Sequence, residues 1–114
     1  MTELPKTIRV SAFDISITDL PHGDEINRWG DFNASRQGIR IDHNLLKNHP
    51  AKYVDCLFHE IGHAIYWSYG ILDEDKEERV VGAMASAWTQ IFRDNPSLLR
   101  RMQKQLKEAE RTST

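Results

Sequence analysis

His59-Glu60-Ile61-Gly62-His63 sets two imidazoles four residues apart, with a carboxylate beside the first. On an α-helix, side chains at i and i+4 share a face about one turn apart. Two neutral imidazoles so placed can grip one Zn²⁺ at ~2.0–2.1 Å each. The Glu60 carboxylate then stands where it can take a proton from a metal-bound water. A pattern this short can arise by accident. In a chain with five histidines, shuffling produces it only roughly 0.01 times per sequence. His59 and His63 are therefore read as metal ligands ahead of ordinary helix residues.

A catalytic zinc takes three protein ligands and keeps one open position for water. The motif supplies two. No His or Cys follows His63, so a downstream third ligand must be a carboxylate. The run Asp73-Glu74-Asp75-Lys76-Glu77-Glu78 is the available supply. Asp73 and Asp75 read as turn and capping residues, which leaves Glu77 and Glu78. Glu77 aligns at helical spacing with Val81, Met84 and Trp88. Glu78 aligns with Gly82 and Ala85, small residues that would let the metal-bearing helix approach. Periodicity leaves both open. Cys56, one turn before His59, reads as a small buried hydrophobe rather than a fourth ligand.

The elements that must hold these residues divide into a strand-rich front and a helical back. Ile8, Val10 and Ala12 alternate on one parity and Phe13, Ile15 and Ile17 on the other, as a bulge or a turn between two strands near Ala12 would give. Leu20-Pro21-His22-Gly23-Asp24 is turn chemistry. After Trp29 to Asn33, a Gly38-containing hairpin leads into a strand over Ile39–Asp42. Pro50 then marks a helix start. From about 51 to 69, Val54, Leu57, Phe58, Ile61 and Ile65 form an apolar stripe, with the two histidines on its shoulder. Gly70 ends that helix. The acids at 73–78 open the next one, whose expected buried stripe is Val80, Val81, Met84, Ala87, Trp88 and Ile91. Asn95-Pro96 breaks it. A last helix from Ser97 to about Glu110 has Leu98, Leu99, Met102 and Leu106 as a narrow seam. The expectation is an α+β fold, a small antiparallel sheet from the N-terminal half packed on two or three helices.

A chain of 114 residues suits one domain, 1–114, with 111–114 expected to fray. The formal charge of −2 carries no nucleic-acid footprint. One cysteine excludes an internal disulfide. No apolar run approaches the ~18 residues of a membrane span, and no secretory h-region opens the chain. The expected location is cytoplasmic.

His59-Glu60-x-x-His63 with a Glu near the start of the next helix resembles the gluzincin class of zinc peptidases, in its minimal single-domain form. In layout it is similar to the ImmA/IrrE family. Leu57 to Ile65, Glu77-Glu78-Arg79-Val80-Val81, Phe92 to Pro96, and Gly30-Asp31-Phe32 leading to Ile39-Arg40-Ile41 also resemble small uncharacterised proteins of tailed phages and prophages. In gluzincins the ligand Glu is followed six and seven residues later by a large apolar and a small residue. Met84 and Ala85 match this for Glu78, so the resemblance implies Glu78 as third ligand, with Glu77 as runner-up. Where the class often has Asp or Asn four residues after that Glu, this chain has Gly82.

What the resemblance implies is one zinc ion and hydrolysis of a peptide bond in a peptide or protein substrate, with Glu60 as general base. An edge strand beside the cleft would hold the substrate as an added strand, and Ile39–Asp42 is the expected one. Tyr53, Tyr66, Tyr69, His22 and Arg40 are the candidate oxyanion donors. The competing expectation is a phage-associated zinc-binding regulatory or interaction protein that cleaves little. The basic cluster Arg100, Arg101, Lys104 and Lys107 on the last helix is a solvated face, or, with Leu98, Met102 and Leu106, a surface for a partner or a second copy.

Overall fold

The computed structural model describes residues 5–20 and 29–112. Thr7–Val10 (β1) and Phe13–Asp19 (β2) form an antiparallel hairpin. The parity switch at Ala12–Phe13 is its two-residue turn. Ser11 sits there at φ 56°, and its N–H donates to Gln90 Oε1 at 2.7 Å. Gly30–Asn33 (β3) and Gly38–Ile41 (β4) form a second antiparallel hairpin. The turn chemistry expected at Pro21 to Asp24 lies outside the described residues.

The two hairpins join through β2 and β4, which run parallel, so the strand order is β1-β2-β4-β3. The sheet is therefore mixed, where a wholly antiparallel one was expected. Composition explains the placement. Gly38, Ile39 and Ile41 of β4 are buried and claim an interior position. The more polar Gly-Asp-Phe-Asn of β3 takes the outside, as edge strands do.

Four helices follow: His43–Asn48 (α1), Pro50–Tyr69 (α2), Glu77–Asp94 (α3) and Pro96–Thr112 (α4). The short α1 was not expected. Asp42 leaves the strand to cap it, accepting from the Asn44 N–H at 2.9 Å, and Leu45 buries its apolar side. Pro50 opens α2, and Gly70 closes it in the left-handed conformation at φ 62°. α4 runs on to Thr112, past the expected start of fraying, and residues 113–114 lie outside the described ones.

The inner face of the sheet supplies Ile8, Val10, Ile15, Ile17, Ile39 and Ile41 to the core. Against it pack Leu57, Ile61, Ala64 and Ile65 of α2, Ala87 and Ile91 of α3, and Leu98 and Met102 of α4. Most of the expected stripe of α3 faces the core, Val80, Met84 and Trp88 packing half-buried against it. Ala87 and Ile91 are its buried residues, whereas Val81 is 57% exposed.

The two edges of the sheet are treated differently. Along β1, the Arg9 N–H donates to Asn95 Oδ1 at 2.9 Å. The Arg9 carbonyl accepts from Asn95 Nδ2 at 3.0 Å and Gln90 Nε2 at 3.1 Å. Side chains from the end of α3 thus occupy that edge. β3 forms the opposite edge and faces α2. Trp67 of α2 packs on Phe13 of β2 at 4.6 Å and Phe32 of β3 at 5.8 Å between ring centroids. These contacts set the spacing between the helix and the edge strand.

Candidate functional site

His59 and His63 lie on the exposed side of α2 with their Nε2 atoms 3.2 Å apart. Two nitrogens held ~2.0–2.1 Å from one tetrahedral ion are about 3.3 Å apart. The pair therefore fits two corners of such a site without adjustment. Glu60 is one residue further round the helix and turns inward, only 8% exposed. Burial pushes its carboxyl above the usual range. The His63 and His59 imidazoles oppose that rise, and the Asp31 carboxylate adds to it.

Between α2 and β3 opens a cleft of about 430 Å³, lined by Gly30, Asp31, Phe32, Glu60, His63 and Trp67. Gly30 passes so close to its neighbours that a Cβ there would stand 2.8 Å from the Arg40 carbonyl oxygen and 3.5 Å from Glu60 Cγ. The absence of a side chain brings the edge strand against the Glu60 side chain. Across the β3–β4 pair, Asp31 and Arg40 face each other in register and are joined by two hydrogen bonds. Arg40, a candidate oxyanion donor, is thus engaged with the acid that reaches the cleft.

The expected substrate strand must be reassigned. Ile39–Asp42 is β4, hydrogen-bonded on both sides by β2 and β3, so its backbone cannot accept another strand. β3 is the edge. The Asp42 N–H donates to the Trp29 carbonyl at 2.9 Å, which makes 29–42 and 31–40 the hydrogen-bonded pairs of the ladder. By the alternation of antiparallel pairing, the N–H and C=O of Gly30 and Phe32 point away from β4, along the cleft.

The remaining candidates are scattered. Glu77 and Glu78 are exposed at the start of α3. Among the described residues, no group of three or more His, Cys, Asp or Glu is arranged to hold a metal ion, so neither Glu joins the histidine pair. Cys56 is half-buried against the core and its thiol is pushed up by burial, which fits the apolar reading. Tyr53 is 1% exposed with its hydroxyl inside the core. Tyr69 is half-buried, and Tyr66 is exposed one turn beyond His63. None of the three tyrosines lines the cleft, and His22 lies outside the described residues.

Sequence reasoning missed the cleft walls. Trp67 lines the cleft while packing against the core; it stands four residues after His63 on the same side of α2, and that spacing was the available signal. His43, at the start of α1, pairs its Nδ1 with Asp19 Oδ1 at 2.7 Å on the surface. Compared with protein-family models, curated proteins and solved structures, the chain matches none. No helix among the described residues is long and apolar enough to cross a membrane.

Proposed function

We propose that this protein is a zinc-dependent peptidase whose active site is the cleft between α2 and β3. The observation that carries the reading is one juxtaposition. Two Nε2 atoms at zinc-sharing distance flank a buried carboxylate that abuts an edge strand. His59 and His63 would hold the ion, whose chemistry is to acidify water and polarise a carbonyl. Glu60 takes the proton of the attacking water and returns it to the leaving amine. Gly30 and Phe32 bind the substrate backbone as an added strand, which places a peptide bond over Glu60. Phe32 and Trp67 wall the cleft on its apolar side.

Glu78 is the proposed third ligand, with Glu77 as runner-up. It reaches the histidines only if the start of α3 moves. The incomplete ligand set favours a second reading: a zinc-binding regulatory or interaction protein with little peptidase activity. Two measurements separate the readings. Metal content by mass spectrometry should be near one zinc per chain, lost in His59→Ala and His63→Ala and reduced in Glu78→Ala. Glu60→Gln should keep the zinc and lose cleavage of a peptide library by at least about a hundredfold. A parent without zinc after metal-replete purification sinks both readings. A Glu60→Gln variant indistinguishable from the parent in cleavage sinks the peptidase.

A further inference from the structure

The histidine pair is half of a closed zinc site. His59 and His63 are both exposed, and their Nε2 atoms stand 3.2 Å apart, as two corners around one tetrahedral ion do. Among the described residues, no third His, Cys, Asp or Glu is arranged to join them. Glu60 turns inward and is buried, and Asp31 is engaged with Arg40. A catalytic zinc takes three protein ligands and a structural one four. Two exposed imidazoles therefore leave the site short of donors that a second copy of the same pair would supply.

The surface around the pair leaves room for that copy. His59, Gly62, His63 and Tyr66 fall at i, i+3, i+4 and i+7, one patch on α2. Tyr66 is 38% exposed, and no other part of the fold comes within 4 Å of where a Gly62 Cβ would stand. Lys52 and Asp55, both exposed before the pair, are of opposite sign, so two such faces meet without net repulsion. We propose that, when zinc is scarce, two copies of this chain share one ion between their His59 and His63 pairs, as a two-fold dimer. Opposite edges of a tetrahedron are perpendicular, and the Nε2 atoms of residues one turn apart are spaced along the helix. The two α2 helices therefore cross near a right angle. Four imidazoles leave no position for water. Because His63 also lines the cleft, the partner helix lies across its mouth. The shared-ion dimer is a closed form, and peptide cleavage belongs to the monomer, in which each pair has its own ion. This inference rests on zinc at the histidine pair, which both readings above require.

Native mass spectrometry and sedimentation velocity on the full chain, titrated with zinc chloride from the metal-free state, read stoichiometry and mass together. Up to about half a zinc per chain, the added metal should appear as dimer carrying a single ion. A chelator should return the monomer, and excess zinc should raise the content towards about one per chain. His59→Ala and His63→Ala should each weaken zinc-linked dimerisation at least about tenfold, since losing a ligand costs no less than losing its outer hydrogen-bond partner. Both substitutions lie at exposed helix positions, and circular dichroism melts establish that the variants are folded. A monomer that binds about one zinc per chain at every ratio overturns the proposal and leaves the peptidase reading standing. A dimer that survives the chelator, or forms equally in the two variants, overturns it too. Absence of zinc binding removes it together with both readings.

Discussion

Two glycine-to-alanine changes should move stability in opposite directions, for reasons legible in the packing. At Gly30, an added Cβ would meet the Arg40 carbonyl oxygen at 2.8 Å and Ile41 Cδ1 at 2.9 Å. The oxygen belongs to a strand held on both sides, so it cannot retreat without disturbing the β3–β4 ladder. Overpacking of this kind costs about 1–3 kcal/mol. For a domain of 114 residues, a loss of about 2 kcal/mol corresponds to a melting temperature lower by roughly 5–10 °C. At Gly62, inside α2 between Glu60 and His63, a Cβ would meet nothing within 4 Å. Alanine there removes backbone freedom from the unfolded chain and should stabilise by ~0.5–1 kcal/mol, raising the melting temperature by about 2–4 °C. Differential scanning calorimetry on both variants and the parent reads the two signs. A Gly30→Ala protein as stable as the parent would mean that the edge strand does not lie against β4 and Glu60 as described. The packing argument for the cleft would fail with it.

Other perturbations follow from the same structure. Gln105 is 1% exposed and neither of its amide atoms finds a hydrogen-bond partner among the described residues, so Gln105→Met should stabilise the fold by roughly 1 kcal/mol in chemical denaturation; a loss of stability would reveal a partner for that amide. Tyr53→Phe removes a buried hydroxyl that has no hydrogen-bond partner among the described residues and should be neutral to slightly stabilising, by at most about 1 kcal/mol. Asp19 is held below its ordinary value of 3.8, first by the side-chain hydrogen bond from His43. Because the folded form binds its proton less readily, the pairing stabilises at pH above 3.8 and is lost as pH falls below it. Both partners are more than a third exposed, so Asp19→Asn should cost under about 1 kcal/mol at neutral pH. That difference should shrink as denaturation is repeated toward acid, and a constant difference would refute the assignment.

Much of the fold was legible because its signals are local. Period-2 alternation located the first hairpin, Pro50 and Gly70 bounded α2, and Asn95-Pro96 separated α3 from α4. Each rests on constraints that act within a few residues: side-chain parity, a fixed proline φ and a left-handed glycine. The spacing of His59 and His63 was equally local. Helix geometry alone brings their nitrogens to 3.2 Å, and no tertiary contact is needed for it. The α+β class followed from the order of strands and helices.

What sequence could not decide was every relation between distant segments. Whether β3 or β4 is the edge depends on which hairpin strand pairs with β2, and that is settled by burying Ile39 and Ile41 against α2 rather than by any local propensity. The cleft depends on the same choice, because only an outer β3 can set Gly30 beside Glu60. The docking of α3, which leaves Val81 in solvent and Glu77 and Glu78 apart from the histidines, is likewise a matter of tertiary packing. The chain by itself determined two imidazoles one helical turn apart with a carboxylate between. Tertiary packing decided which strand faces that carboxylate and which acids stay away, since long-range pairing is selected by the burial of whole surfaces.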